Sequence, residues 1–160
     1  MLKREIILTP GGYRKLVEEL RFLVTKRRKE VAKRIRNAIT FGDLNENSEY
    51  DDAKNEQAFI EGRIMQINEI LSRARVIEDK HIKTDRVTLG SVVTLRDLES
   101  GEEVEYLMVG SIEADPDNHK ISNESPVGRA IMGKKAGRVV KVHAPQGYIK
   151  YEIVNIRKAN

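Results

Sequence analysis

The sequence predicts an α+β protein, an N-terminal antiparallel α-helical coiled-coil hairpin followed by a small antiparallel β-sheet domain with one short helix. Three observations predict it. Two long segments carry apolar residues at heptad spacing, a turn rich in acids separates them, and beyond about Ile77 the helical period gives way to short runs bounded by turn residues. The expected boundaries are residues 1–77 for the hairpin, 78–85 for a linker and 86–160 for the sheet domain. At 160 residues with 39% hydrophobic content the chain has material for at least one compact core.

Met1-Leu2-Lys3-Arg4-Glu5 leads into a short apolar stretch, Ile6 to Leu8, too brief for a signal peptide, and no apolar run approaches the roughly 20 residues that span a bilayer. The expected setting is the cytoplasm, with no membrane partner. The absence of cysteine excludes disulfides, thiolate metal sites and a cysteine nucleophile. Thr9-Pro10 starts the first helix, a cap followed by a proline at the first turn. Gly11-Gly12 marks that start and not a nucleotide loop, because it lacks a preceding strand and a phosphate-loop pattern.

In the first helical segment Val17, Val24, Val31 and Ala38 recur every seven residues, with Leu20 and Ile35 in intermediate slots and Arg27 and Arg28 interrupting the seam. In the second, Ala53, Gln57, Ile60, Ile64, Ile67, Leu71 and Ala74 alternate spacings of four and three, the seam of a left-handed coiled coil. Folding back at Leu44 or Asn45 pairs Ala38 with Ala53, Val31 with Ile60, Val24 with Ile64 or Ile67, and Leu20 with Leu71. Asn47 or Ser48 caps the second helix, and Glu49, Asp51 and Asp52 suit its positive N-terminal end.

Residues 78–85 are polar and non-periodic. Strands are expected at Ser91 to Arg96, Glu103 to Val109, Lys120 to Ser122, Arg138 to His143 and Tyr148 to Ile156. Turn residues separate them at Glu99-Ser100-Gly101, Asp115-Pro116-Asp117-Asn118 and Pro145-Gln146-Gly147. One helix fits Pro126 to Met132, begun by Ser125-Pro126 and stopped by Gly133.

Charge is unevenly placed. Lys26 to Arg36 holds seven bases and one acid, Glu30, while Asn37 to Ala53 holds five acids and no base. Solvated helix faces account for many such runs, but opposite signs in adjacent blocks give the hairpin a field with a direction. The basic shaft can contact phosphates, nonspecifically and with salt dependence. Asp43 and Glu46 stand apart from the other acids: they precede the cap of the second helix, where neither its macrodipole nor heptad packing needs them. Two carboxylates suit a hard cation, yet Mg²⁺ takes about six oxygens, so the turn is half of a metal site at most and a partner must complete it. A solvated turn is the plainer alternative. His81, His119 and His143 are isolated and lack metal-ligand spacing, and with few aromatics the sequence shows no base-stacking platform.

Phe41-Gly42-Asp43-Leu44-Asn45-Glu46-Asn47-Ser48-Glu49-Tyr50, followed by Ala53-Lys54, Glu56-Gln57 and Glu61-Gly62-Arg63-Ile64, resembles the GDLxENxEY signature of the bacterial Gre transcript-cleavage factors, on the GreA side of that family. Leu8-Thr9-Pro10-Gly11-Gly12, Val109-Gly110, Glu113-Ala114-Asp115, Ile121-Ser122, Ser125-Pro126, Gly128-Arg129-Ala130 and Gly133-Lys134 extend the resemblance over nearly the whole chain. It implies a coiled coil inserted through the secondary channel of RNA polymerase and an FKBP-like domain docked on the polymerase rim. It further implies that Asp43 and Glu46 help hold a Mg²⁺ shared with the polymerase's catalytic centre, where the nascent RNA 3′ end of a backtracked complex is cut. The chain would then be an accessory factor, not a freestanding enzyme. Arg36 and Lys54 become candidates for RNA or polymerase contact in the channel, and Ser125, Pro126, Gly128 and Arg129 match the docking segment. Nonspecific DNA contact is a further expectation. Alternatives are a channel-binding inhibitor without cleavage, a GreB-type factor, and a peptidyl-prolyl isomerase or chaperone-like module; the retained Asp43 and Glu46 disfavour the first, and the lack of an evident aromatic-lined pocket disfavours the last.

Overall fold

The computed structural model describes residues 4–41 and 48–159. They form two compact units, Tyr13–Ala74 and Arg4–Gly12 together with Arg75–Asn160. In the first unit, α1 (Pro10–Phe22, its first residues counted with the second unit) runs through one turn of π-helix, Leu23–Arg27, into α2 (Arg28–Phe41), and α3 (Ser48–Ser72) packs against α2. Leu23, Val31, Ile60, Ile64 and Ile67 form the buried seam, with Leu16, Leu20 and Leu71 packed on it. Ala38 and Ala53 are buried nearer the turn, where small residues allow close approach, and Ile70, outside the expected seam, is buried as well.

The π turn corrects the expected register. Arg28 N–H donates to the Leu23 carbonyl, five residues back. A π turn holds one residue more than an α turn, so the position two turns before Val31 falls on Leu23 and not on Val24. Val24 is 37% exposed and Leu23 only 9%. The expected pairing of Val24 with Ile64 or Ile67 is therefore made by Leu23, and Val17 gives its place to Leu16 and Leu20.

The second unit begins with β1 (Ile6–Leu8), which pairs with β2 (Ala74–Val76), and Ile77 N–H extends the pairing to the Leu8 carbonyl at 2.9 Å. A strand thus does precede Gly11-Gly12, and Ala74 leaves the helical seam. The main sheet is β3 (Ser91–Asp97), β4 (Glu103–Val109), β5 (Lys120–Ser122), β6 (Val139–Ala144) and β7 (Gly147–Lys158), in the order β5-β4-β3-β7-β6. Every pairing is antiparallel except β4 with β5, which is parallel. The expected antiparallel sheet thus holds apart from this one pair, where residues 110–119 make an excursion through two 3₁₀ turns, Ser111–Glu113 and Pro116–Asn118. It ends on His119 with φ 56°, so β5 re-enters running the same way as β4. Val93, Leu95, Met108, Ile153 and Ile131 of α4 (Pro126–Ile131) are fully buried at the centre of this unit.

Two segments expected in the hairpin and the linker belong to this second unit. Residues 78–85 contain a 3₁₀ turn, Asp79–His81, and Ile82 is 7% exposed against Gly90, whose missing Cβ would lie 2.8 Å from an Ile82 side-chain carbon. Residues 4–12 are tied in by Glu113. Its carboxylate accepts from Thr9 N–H at 2.7 Å and from the Thr9 hydroxyl at 2.6 Å, while that hydroxyl accepts from Gly12 N–H at 3.1 Å. Thr9 is the N-cap the sequence predicts, but the cap is itself held by an acid 104 residues away. The Glu113 carboxylate lies against Gly12, where a Cβ would fall 2.0 Å from its oxygen and would displace that side chain from Thr9.

Candidate functional site

The hairpin resolves its basic block into two faces. Arg28 grips Glu61 with two hydrogen bonds of 2.9 and 2.7 Å, and Arg63 grips Glu19 with two of 2.6 and 2.8 Å. Arg27 pairs with Glu30 at 2.6 Å and with Glu56, and Arg34 pairs with Glu49 at 2.8 Å and also with Glu56. These acids flank the seam where interhelical ion pairs form in coiled coils, which is the signal by which sequence reading could have found them. Single exposed pairs contribute only about 0–1 kcal/mol, so the ladder fixes pairing and charge more than it adds stability. The Arg63 hydrogen bonds hold the Glu19 carboxyl below its ordinary pKa, and those of Arg28 do the same for Glu61.

What remains is a stripe. Lys26 in the π turn and Lys29, Lys33 and Arg36 of α2, spaced three, four and three, are exposed and have no carboxylate partner among the described residues, and Lys26 Nζ stands 5.7 Å from the Phe22 ring centroid. Lys54, in the second turn of α3, is exposed and donates to the Gln57 carboxamide at 3.2 Å. Glu49, expected only to complement the helix dipole, also carries Arg34. Asp43 and Glu46, the acids expected to hold a metal, lie outside the described residues, as do Leu44, Asn45 and Asn47. The described chain ends at Phe41 on one side of them and resumes at Ser48 on the other.

The other candidate segment lies in the second unit. The Ser125 hydroxyl donates to the Ser122 carbonyl at 2.7 Å and accepts from Gly128 N–H at 3.0 Å, capping α4, with Pro126 at the first helical position. Pro126 and Arg129 are exposed, and Arg129 Nε donates to the Glu124 carbonyl at 2.7 Å. The Glu124 side chain accepts from the Ser111 hydroxyl at 2.9 Å. Gly128 is buried, and a Cβ there would sit 1.9 Å from the Ser122 carbonyl oxygen, so it shapes the segment from beneath. Beside the cap a groove of about 190 Å³ is lined by Ile6, Ile7, Leu89, Gly110, Asn123 and Glu124 among others. Among the described residues no helix is long and apolar enough to cross a membrane.

A helical hairpin laced by ion pairs, joined in sequence to a sheet unit with a capped surface helix, is the architecture of the described residues. Residues 6–76 match the family described as "Transcription elongation factor, N-terminal" and residues 82–158 the one described as "Transcription elongation factor, GreA/GreB, C-term". The chain belongs to the GreA/GreB family of transcription elongation factors. It is 56% identical over 155 residues to the transcription elongation factor GreA of Acetivibrio thermocellus, covering 97% of this chain and 98% of that one. It is 55% identical over 158 residues to GreA of Alkaliphilus oremlandii, covering 99% of each. Among solved structures it is similar to GreA factor homolog 1 of Thermus thermophilus, at 35% identity and a TM-score of 0.45 over 96% of this chain and 99% of that one.

Proposed function

We propose that this chain is a transcript-cleavage elongation factor of bacterial RNA polymerase. It is not an enzyme by itself; it stimulates the polymerase's own hydrolysis of nascent RNA in backtracked, arrested complexes, so that elongation resumes from a new 3′ end. The FKBP-like sheet unit docks on the polymerase rim through Ser125, Pro126 and Arg129 at the surface and Gly128 beneath them. The hairpin enters the secondary channel, in the cytoplasm where the polymerase works, and carries Asp43 and Glu46 to the active centre.

The observation that carries this reading is how the acids around the turn divide. Glu49, Glu56 and Glu61 each hold an arginine, and Glu49 and Asp51 lie in the first turn of α3. Asp43 and Glu46 precede that helix, where the sequence pattern gives them no structural task. Their donor set fits a hard cation only in part, since two carboxylates supply fewer than the roughly six oxygens Mg²⁺ takes, and a shared site answers that shortfall. Asp43 and Glu46 would help hold a Mg²⁺, which when bound would supply an activated water and neutralise developing charge. The chain's own part is to hold two carboxylates at that position and to steer phosphate with Arg36 and Lys54. Exposed Lys29 and Lys33 add phosphate contact of the nonspecific, salt-dependent kind, to RNA or to DNA.

Asp43→Asn and Glu46→Gln are expected to reduce cleavage in a stalled, backtracked complex by at least about a hundredfold while leaving polymerase affinity within about twofold. Cleavage at near wild-type rate by the double variant would sink the metal-sharing role. Cutting of RNA by the chain without polymerase would overturn its accessory role.

A further inference from the structure

From Ser125 to Tyr151 the chain holds six bases, Arg129, Lys134, Lys135, Arg138, Lys141 and Lys150, and no acid. Basic side chains elsewhere on the same sheet meet carboxylates from neighbouring segments: Arg96 pairs with Glu103 at 2.8 Å and Glu152 at 3.3 Å, Arg157 with Glu105 at 3.2 Å, and Lys158 with Asp79 at 3.2 Å. Lys135, Arg138, Lys141 and Lys150 are exposed and have no carboxylate partner among the described residues. The unmatched charge therefore gathers on the β6–β7 hairpin and the loop leading into it.

Register sharpens the point. Lys141 of β6 lies directly opposite Lys150 of β7, and the next pair on the same face is His143 opposite Tyr148. Like charges directly opposite on a sheet repel and destabilise the pairing. A lysine on an edge strand deters unwanted strand addition, which accounts for Lys141, since β6 is the sheet's edge. It does not account for Lys150, whose strand is covered on both sides, with its carbonyl taken by Leu98 N–H at 3.0 Å. Nor does it account for Tyr148, which is 63% exposed. The Tyr148 and His143 rings sit 4.3 Å apart, and Lys141 Nζ stands 5.8 Å from the Tyr148 centroid. The sequence, with its few aromatics, shows no stacking platform; the hairpin register assembles one with cations beside it.

We propose that this face of the β6–β7 hairpin binds single-stranded nucleic acid. Tyr148, braced by His143, stacks on a base; Lys141 and Lys150 take the flanking phosphates; Lys135 and Arg138 extend the positive track. An acidic protein surface would be satisfied by the lysines alone, whereas an exposed ring flanked by cations matches the alternation of base and phosphate. A duplex fits less well, because a base must leave its stack to lie on Tyr148.

The test needs no polymerase, so its outcome is independent of the cleavage reading. Anisotropy of a labelled oligonucleotide of about 12 nucleotides is measured on the whole chain carrying Lys29→Gln, Lys33→Gln, Arg36→Gln and Lys54→Gln, which keeps the hairpin phosphate contacts proposed above from masking the sheet. Adding Lys141→Gln and Lys150→Gln is expected to weaken binding about tenfold at low salt and to flatten the salt dependence by about 1.4 in log–log slope, at ~0.7 per lost contact on a single strand. Tyr148→Ala is expected to weaken binding about tenfold with the slope unchanged, and Tyr148→Phe to restore it. All these side chains are exposed, and matching circular dichroism confirms the fold of each variant. Unchanged affinity in the lysine variant overturns the site. A lysine effect without a Tyr148 effect, equal binding of the duplex, or displacement of the oligonucleotide by polyglutamate at equal charge reduces it to a general anion surface and overturns the assignment.

Discussion

Leu23 and Val24 are neighbours of similar chemistry with opposite surroundings, and the π turn is what separates them. Leu23 lies in the seam with Val31 and Ile60, so Leu23→Ala should cost about 2–5 kcal/mol, the range for emptying a buried aliphatic site. Val24 is exposed, and Val24→Ala should change stability by no more than about 0.5 kcal/mol. Urea unfolding followed by helical circular dichroism decides between them; equal costs would mean that the seam runs through Val24 as the heptad spacing has it. Spacing alone did not resolve this pair, because Val24 keeps an unbroken seven to Val31 and Val17 while Leu23 lies eight before Val31, an interval that only a π turn brings into the seam. Gly128 is a comparable case in the candidate docking segment: nothing in Ser125-Pro126-Val127-Gly128 says that a Cβ would collide with the Ser122 carbonyl. Pro126 differs, being exposed at the first helical position, so Pro126→Ala should keep the fold and weaken polymerase binding.

At the scale of elements, the heptads of α3 and the turn residues between strands made most of the architecture legible. What stayed hidden was set by distant partners: the parallel β4–β5 pair follows from the excursion between them, and the cap of α1 depends on Glu113. The π turn is open to a direct test. Removing Thr25, an exposed residue within it, shortens the interval from Leu23 to Val31 to a regular seven, and the hairpin should melt no lower than wild type. Removing Gly62 from α3 instead shifts Ile64 and Ile67 out of the seam and should lower the hairpin's melting temperature sharply. The interhelical ladder has its own signature in pH. Glu19 and Glu61 have depressed folded-state pKa values, so their stabilisation is fully present above the unfolded glutamate value of about 4.3 and is lost as pH falls through the lower folded values. Thermal melts from pH 6 to pH 2.5 should show that loss, with a shallower slope in Glu19→Gln. An identical slope in the variant would remove Glu19 from the account.

At the scale of the whole molecule, the proposed function puts docking and chemistry in different units, docking with Pro126 in the sheet unit and chemistry with Asp43 and Glu46 in the hairpin. A separable design has a consequence that single-variant assays do not reach. A chain carrying Asp43→Asn and Glu46→Gln should still dock, and in excess over wild type it should occupy polymerase and suppress cleavage in proportion to its share of the total factor. Adding Pro126→Ala to that chain should remove the suppression, because a factor that cannot dock cannot compete. The measurement is RNA cleavage in a backtracked complex at fixed wild-type concentration, titrated with each variant. Suppression by the triple variant equal to that by the double would place the dominant binding energy outside α4, in the hairpin itself. The exposed Lys29, Lys33 and Arg36 stripe would then be the contact to remove next, since it is a run of positive charge with no carboxylate partner among the described residues, on the unit that the proposed function sends into the channel.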